Sequence, residues 1–157
     1  MIGQRKLHLI TACLGGILML SGCQTTGSSG TAANAALPPG TQSATPASEV
    51  PANHARFAGI WHGAWGGSLD SKLAVTRVEA DGTVDAIYAW GESPGQFEGG
   101  YSIARGKIAG NRLTLEPIGS GANISYEMQS NGSLHGLYVR GNSRATGVFV
   151  KTGSPGT

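Results

Sequence analysis

Two hairpin signals at a fixed offset constrain the fold of this chain more than any other feature of its sequence. Residues 81–91 align without gaps on residues 131–141, an offset of 50 residues, and the two stretches begin with Asp81-Gly82 and Asn131-Gly132. Both dipeptides tolerate the positive φ angles of a two-residue hairpin turn. A repeat of only two units is too short for a solenoid or a propeller. The alignment therefore indicates a doubled meander of strands.

Turn residues divide the folded part of the chain into eight short segments in which apolar and polar residues alternate. The segments are 59–65, 72–80, 83–90, 97–105, 111–117, 123–129, 133–140 and 144–151. Sequential antiparallel strands joined by short loops close into an up-and-down barrel, which removes the unpaired edges of an open sheet. The sequence predicts an all-β domain over residues 55–152, an eight-stranded antiparallel up-and-down β-barrel built from a doubled four-strand meander.

The alternation also predicts which side chains point into the barrel. The shared faces of the third, sixth and seventh segments carry Val84, Ala86, Tyr88 and Trp90, then Ile124, Tyr126 and Met128, then Leu134, Gly136 and Tyr138. A barrel of this size is just wide enough for side chains to fill it or for one small ligand, and the alternation fits both cases. Because aromatic side chains commonly line sites for apolar molecules, the candidate ligand-binding residues are Trp65, Tyr88, Trp90 and Tyr138.

The N-terminal residues have the order of a bacterial targeting segment. Arg5 and Lys6 precede an apolar run over residues 7–20, which is shorter than the roughly 20 residues that a membrane-spanning helix needs. Leu20-Ser21-Gly22 then stands immediately before Cys23. This pattern resembles that of the bacterial lipoproteins.

The resemblance to lipoproteins implies a location for the protein. It implies that residues 1–22 are a signal peptide that is removed, and that Cys23 carries a diacylglyceryl group and an amide-linked fatty acid such as palmitate. Gln24 follows the cysteine where an Asp would favour the inner membrane, so the outer membrane is expected, with the domain facing the periplasm. The membrane, through the lipid on Cys23, is then the first expected partner.

Residues 23–54 have the composition of a linker. Apart from Cys23 they are mostly Ser, Thr, Ala, Gly and Pro, with Glu49 as the single formal charge and no Phe, Trp or Tyr. Such a segment buries too little apolar surface to offset the entropy of ordering it. The sequence therefore predicts a disordered tether over residues 23–54 and a flexible tail over residues 153–157.

Charge and cysteine content exclude several classes of function. The formal charge of the whole chain is +2, and the loss of Arg5 and Lys6 with the signal peptide leaves nine basic and nine acidic residues. A neutral chain without a Lys/Arg cluster lacks the electrostatic footprint of a nucleic-acid-binding protein. Cys13 leaves with the signal peptide and Cys23 carries lipid, so we expect no disulfide, no thiolate metal site and no cysteine nucleophile.

The residues that catalysis would need are scarce. Three histidines remain after removal of the signal peptide, His54, His62 and His135, and none has a metal-binding spacing. Neither a Gly-x-Ser-x-Gly elbow nor a phosphate-binding glycine loop occurs. Asp81 and Asp85 share a hairpin, but they suit a turn and a solvent-facing strand position better than a glycosidase pair. We therefore expect no enzymatic activity, no metal and no cofactor.

A short motif occurs twice at the start of the first predicted strand. Gly59-Ile60-Trp61, repeated as Gly63-Ala64-Trp65, resembles the Gly-x-Trp motif of the lipocalin-like and avidin-like barrels, which together are called calycins. The resemblance implies that Gly59 and Trp61 close one end of the barrel under a basic side chain of the last strand, either Lys151 or Arg144. It also implies a small apolar ligand inside the barrel.

Other motifs resemble two families of lipoprotein inhibitors. Ser120-Gly121, followed by Tyr126, and the stretch 138–141 are similar to the loop and turn with which membrane-bound lysozyme inhibitors block their enzyme. This resemblance implies Ser120, Tyr126 and Arg140 as inhibitory-loop candidates. The stretch 58–61 is similar to the opening of periplasmic metalloprotease inhibitors, and the chain lacks the disulfide of both families.

These features together predict a non-catalytic binding module, an outer-membrane lipoprotein whose calycin-like barrel holds a small apolar ligand. One alternative is a periplasmic inhibitor of lysozyme or of a protease, acting through the loops near Ser120 or Trp61. A second alternative is a structural envelope protein that binds an envelope or host protein through its outer face. Nucleic acid is excluded as a partner on the grounds of charge.

Overall fold

The computed structural model of the protein describes residues 34–152, and the predicted signal peptide, Cys23 and the predicted tail at 153–157 lie outside them. A short helix, α1 (Ala52–Ala55), precedes the strands, and no helix of the described chain is long and apolar enough to cross a membrane. The strands are β1 (Gly59–Trp65), β2 (Leu69–Val78), β3 (Thr83–Trp90), β4 (Gly100–Ala109), β5 (Arg112–Leu115), β6 (Asn123–Met128), β7 (Leu134–Arg140) and β8 (Ser143–Thr152). Each strand pairs with its sequence neighbours and β8 pairs with β1, so the sheet is a closed antiparallel up-and-down barrel. The predicted fold class is confirmed.

The strand bounds follow the turn chemistry of the sequence. β1 and β3 have the predicted bounds, whereas β2 begins earlier, at Leu69, and β4 begins later, at Gly100. The predicted start of the fourth strand is instead part of a turn, in which Phe97 N donates to Ser93 O over 3.1 Å. β5 ends just before Pro117, because proline has no N–H to donate to a ladder.

The two hairpins of the repeat have the same turn, with three loop residues rather than the predicted two. In the first hairpin, Glu79 N donates to Thr83 O and Gly82 N donates to Glu79 O, both at 2.9 Å. The second hairpin repeats both bonds around Gly132, and the φ angles of the two glycines are 87° and 83°. A three-residue loop needs one left-handed residue, whereas a two-residue type I′ turn needs two, so one glycine in each loop is enough.

The side chains that the alternation directs inward form the core of the barrel. The buried set includes Val84, Ala86, Tyr88, Ile124, Tyr126, Met128 and Leu134, as predicted. Neighbouring strands complete the core with Trp61, Trp65, Leu73, Val75, Leu113 and Phe149. Side chains from opposite walls therefore meet on the barrel axis.

Glycines opposite the largest aromatic rings make this packing possible. A Cβ atom on Gly136 would lie 2.7 Å from Trp65, and one on Gly147 would lie 3.1 Å from Phe149. A Cβ atom on Gly63 would lie 2.8 Å from Phe149 and would also meet a backbone oxygen of β8. All of these separations are shorter than the roughly 3.5 Å of a favourable contact between carbon atoms. A side chain larger than that of glycine would therefore crowd the rings at each position.

One end of the barrel is covered by the segment that leads into β1. Phe57 is fully buried, and its carbonyl accepts a hydrogen bond of 2.9 Å from Trp61 Nε1. Asn53 Nδ2 in α1 donates to Gly110 O in the β4–β5 turn over 3.3 Å. Val50 belongs to the same core cluster as Phe57. The chain thus crosses this end of the barrel before it enters the wall.

The segment before α1 lies against the barrel, whereas the sequence predicts a disordered tether as far as residue 54. Ala35 N donates to Asp70 Oδ2 at 2.7 Å, and Ser43 Oγ donates to Val75 O at 2.7 Å. Ala44 N donates to a further carbonyl of β2 at 2.9 Å. We call residues 34–46 the strap, because they follow the outer face of β2 from one end to the other.

Solvent does not reach two outward-facing residues of the barrel, and the strap accounts for the first of them. Ala74 in β2 and Ala89 in β3 point away from the core, yet both are 0% exposed. The hydrogen bonds of the strap lie on both sides of Ala74. Small side chains on both surfaces let the two backbones approach and bond, a contact that a count of large apolar residues does not register.

We predict that Gly63→Ala lowers the free energy of unfolding by about 1–3 kcal/mol, because its methyl group meets the Val148 carbonyl and the Phe149 ring. Urea unfolding followed by tryptophan fluorescence measures the change. Gly119→Ala is the matched control, because Gly119 has open space around it. The control should change the free energy by less than about 0.5 kcal/mol, and an equal loss in both variants would contradict the packing described for Gly63.

Candidate functional site

The structure brings the four predicted ligand-binding aromatics together at the end of the barrel away from α1. Trp65 Nε1 donates to Tyr88 Oη over 2.9 Å. The ring centroids of Trp65 and Tyr138 are 5.9 Å apart, and those of Tyr88 and Trp90 are 5.7 Å apart in a stacked pair. We call this cluster, Trp65, Tyr88, Trp90 and Tyr138, the aromatic mouth.

Two of these four rings are accessible from outside. Trp65 and Tyr88 are buried, whereas Trp90 and Tyr138 are partly exposed. Trp90 Nε1 donates to Glu98 O at 3.0 Å, and a Cβ atom on Gly100 would lie only 2.9 Å from the Trp90 ring. The loop between β3 and β4 therefore holds Trp90 in place and leaves part of its surface free.

Below the mouth, aromatic rings fill the lumen. The Phe149 centroid lies 5.0 Å from that of Trp65 and 5.2 Å from that of Tyr126, and Trp65 and Tyr126 are 6.0 Å apart. All three side chains are buried. Phe149 is not among the predicted site residues, although it shares a strand face with Lys151. A ligand at this end would contact Trp90 and Tyr138, and would enter deeper only by displacing packed rings.

Tyr126 lies inside the barrel and not in an inhibitory loop. Its side chain is fully buried, and its hydroxyl has no hydrogen-bond partner among the described residues. Burial raises the pKa of Tyr126 well above its ordinary value, and the neighbouring Tyr88 raises it further. The lysozyme-inhibitor resemblance groups Tyr126 with Ser120, but the alternation along β6 keeps this ring in the core.

The hydroxyl of Tyr88, in contrast, has partners. It accepts the hydrogen bond from Trp65, and Ser71 Oγ lies 3.4 Å away. Burial raises the pKa of Tyr88, and the hydrogen bonds from Ser71 and Trp65 oppose part of that rise. This small polar network fixes the floor of the mouth.

Ser120 and Arg140, the other two inhibitory-loop candidates, are exposed on the rim of the mouth. Ser120 lies in the turn between β5 and β6, and Arg140 ends β7. Asn123 pairs with Val139, which brings the start of β6 beside the end of β7. Both side chains therefore lie on the same side of the rim.

The three residues named from the calycin resemblance meet at the opposite end. Lys151 Nζ lies 4.8 Å from the Trp61 ring centroid and donates to Arg56 O at 3.0 Å. A Cβ atom on Gly59 would lie 3.2 Å from Lys151 Cε. Burial lowers the pKa of Lys151, and the charge of Arg56 lowers it further. The alternative cation, Arg144, lies near the mouth, so Lys151 is the basic residue that covers Trp61.

His62 and Asp70 form a hydrogen-bonded pair on the outer face of the barrel. Because Asp70 also accepts the bond from Ala35 N, it joins β1, β2 and the strap. No sequence pattern identifies Asp70, since its partner on the strap is a backbone N–H. His135 is exposed on β7, and within residues 34–152 no three His, Cys, Asp or Glu side chains converge as metal ligands would.

The chain matches no protein-family model, and no curated protein matches it significantly. The closed eight-stranded antiparallel barrel is consistent with a calycin-like fold. Fold alone does not define a function, so the functional argument depends on the mouth, the rim and the outer wall of this barrel.

We predict opposite effects for two substitutions that each remove one buried hydroxyl. Tyr88→Phe leaves Trp65 Nε1 without its acceptor and should lower the free energy of unfolding by about 1–3 kcal/mol. Tyr126→Phe removes a hydroxyl that has no partner within residues 34–152 and should raise the free energy of unfolding by about 1 kcal/mol. Urea unfolding at pH 7 measures both, and a loss of stability in Tyr126→Phe would contradict the unsatisfied hydroxyl.

Tyr126 should also make stability depend on alkaline pH. Its folded-state pKa lies well above 10.0, so the unfolded chain loses the proton first as the pH rises. Below about pH 10 both states keep the proton of Tyr126 and its contribution to the free energy of unfolding is complete. Above about pH 10 the unfolded chain loses this proton first, so the free energy of unfolding falls. Urea unfolding at a series of alkaline pH values should show a smaller loss in Tyr126→Phe than in the wild type, and identical losses would refute the raised pKa.

Proposed function

We propose that the protein is a non-catalytic binding module of the bacterial outer membrane, anchored by lipid on Cys23, which binds its ligand at the aromatic mouth. The observation that carries the proposal is the difference between the two barrel ends. Trp90 and Tyr138 are accessible at the mouth, whereas Phe57 and α1 cover the other end. Partly exposed aromatic rings held from below are typical of sites for apolar molecules.

The packed lumen limits what this site accepts. Because Trp65, Tyr126 and Phe149 occupy the space below the mouth, the proposed ligand lies on the rings rather than inside the barrel. A small molecule with a flat apolar face fits this arrangement, since it would stack on Trp90 and reach Tyr138. The Tyr138 hydroxyl offers a polar contact beside that face.

The anchor and the location of the protein are supported by its sequence. Leu20-Ser21-Gly22 before Cys23 supports lipid attachment, and Gln24 supports sorting to the outer membrane, with the barrel in the periplasm. Cys23→Ser in the full chain should abolish the incorporation of radiolabelled palmitate. Continued labelling of this variant would refute Cys23 as the site of attachment.

Binding at the mouth is tested with the apolar fluorescent probe anilinonaphthalene sulfonate and the full chain carrying Cys23→Ser. The probe should bind the protein, and Trp90→Ala should weaken its affinity about tenfold, because the stacking surface is lost. Fluorescence titration measures the affinity, and the melting temperature of each variant checks folding.

Val148→Ala is the matched control for the mouth, because Val148 is an exposed apolar residue on the outer wall. It should leave the affinity of the probe unchanged. An equal loss in Val148→Ala and Trp90→Ala, or no loss in Trp90→Ala, would refute binding at the mouth.

A second candidate function is the inhibition of lysozyme or of a protease. The observation in its favour is that Ser120 and Arg140 are exposed together on one side of the rim, where a loop and a turn project from the barrel. At micromolar concentration the full chain carrying Cys23→Ser should then slow lysozyme or a metalloprotease, and Arg140→Ser should relieve the inhibition. Arg144→Ser is the control, because Arg144 is exposed just beyond the same turn. No inhibition of either enzyme would exclude this candidate.

A further inference from the structure

β4 has an unpaired edge near the mouth of the barrel. β3 pairs with residues 100–107 of β4, whereas β5 pairs only with residues 106–109. The last bond on the β5 side is the one that Glu116 N donates to Arg105 O, at 2.8 Å. On this side, residues 101–104 have no backbone hydrogen-bond partner anywhere in the described chain. The barrel is closed, but one stretch of its wall lacks a ladder.

The hydrogen bonds of the β5–β6 loop account for this gap. Ile118 N is the next donor after Glu116 N that would face β4, and it donates to Ala122 O instead, over 3.3 Å. The chain then turns at once, with Gly121 N donating to Ile118 O at 2.7 Å, while Ile118 and Ala122 are buried. The loop between β5 and β6 thus covers the core beside β4 without pairing with it.

The backbone groups of Tyr101 and Ile103 point into the gap. In an antiparallel strand, alternate residues direct both their N–H and their C=O to the same neighbouring strand. The Arg105 carbonyl points to the β5 side, so the N–H and C=O groups of Ile103 and Tyr101 point there as well. Ser102 and Ala104 point to β3 instead.

The side chains along this edge are apolar and exposed. Ile103 is 80% exposed and Tyr101 is 53% exposed, and the two are neighbours on the outer face of β4. Pro117 and Ile118 line the other side of the same groove. Proteins usually protect an open edge with a Lys, a Pro or a bulge, and residues 100–104 include neither Lys nor Pro.

We propose that an extended peptide segment of a partner protein adds to the barrel as an extra strand along this edge. The N–H and C=O groups of Tyr101 and Ile103 bind its backbone, and the peptide occupies the place that β5 would fill if it continued. Peptide side chains at alternate positions pair with Ile103 and Tyr101, so β-branched or aromatic residues are expected there. This surface is distinct from the rings of Trp90 and Tyr138 and does not require lipid on Cys23.

The length of the edge favours a peptide over a second copy of the chain. Residues 101–104 span about 13 Å at the usual rise of a strand. That length matches a short peptide segment, whereas a stable dimer interface takes about 20–30 residues on each partner. The charged residues that line the groove, Asp85, Arg105 and Glu116, include both signs, so the peptide does not need a strong net charge.

The open edge itself is tested by amide hydrogen exchange in the full chain carrying Cys23→Ser, followed by NMR. The amides of Tyr101 and Ile103 should exchange rapidly, because they have no partner, while those of Ser102 and Ala104 should be protected by β3. Each pair of amides serves as the control for the other, because all four residues lie on the same strand. Equal protection of both pairs would overturn the proposal.

Peptide binding is tested with a phage-displayed library of random peptides, selected on the same protein and depleted on Ile103→Pro. Proline removes the edge N–H at a position that faces away from β3, which an edge strand tolerates. Selected peptides should bind Ile103→Pro about tenfold more weakly than the wild type, because a backbone hydrogen bond is lost. Ile103→Ala keeps the N–H, so it should weaken binding less than Ile103→Pro does.

Synthetic peptides provide a test that is independent of how the variants fold. N-methylation of the peptide residues that face β4 should abolish binding, whereas N-methylation of the alternate residues should leave it intact. Equal effects of the two patterns, or no peptide enriched over the depleted library, would overturn the proposal. Sedimentation velocity gives the remaining outcome: a wild-type dimer that Ile103→Pro dissociates would assign the edge to a second copy and refute the peptide.

Discussion

The packing of Trp65 and Phe149 against glycine is the interaction on which the rest of this barrel depends. Gly63, Gly136 and Gly147 bring the walls close enough for the rings to cross the lumen. No cysteine lies within residues 34–152, so the core has no disulfide to support it. A large buried aromatic side chain removes about 150–250 Å² from water, which makes these rings a major source of stability in a domain of this size. Because these rings fill the interior, the surfaces left for contact with other molecules are the mouth and the outer wall.

A single short strand determines much of that outer surface. β5 has four residues, and directly after Glu116 the chain turns back on itself, with Ile118 N donating to Ala122 O. The loop that follows carries Ser120 to the rim and buries Ile118 beside β4, while the backbone groups of Ile103 on this side have no partner among residues 34–152. The rim and the edge therefore have one structural cause, although they differ in chemistry. The first offers a projecting loop and the second offers main-chain donors and acceptors.

The sequence predicts the barrel well because its signals are local. Alternation and turn residues are enough to identify eight strands, and the inward faces at Val84 and Ile124 are as predicted. The four mouth residues are also brought together, since alternation places each at the end of an inward face. The sequence does not indicate the strap, whose contacts join residues far apart, such as Ala35 and Asp70, through a backbone donor. The motif that groups Tyr126 with Ser120 does not indicate that Tyr126 is buried, whereas the alternation along β6 does. The open edge depends on where β5 stops.

The strap changes how far the barrel would travel from a membrane. With lipid on Cys23, as proposed, 11 residues (24–34) separate the anchor from Ala35, which is bound to Asp70, instead of the 31 residues (24–54) that precede residue 55. At about 3.4 Å per extended residue, the greatest distance that this chain could bridge is then about 37 Å rather than about 105 Å. A segment of small residues that looks like a spacer would thus shorten the reach of the barrel from the bilayer proposed for it.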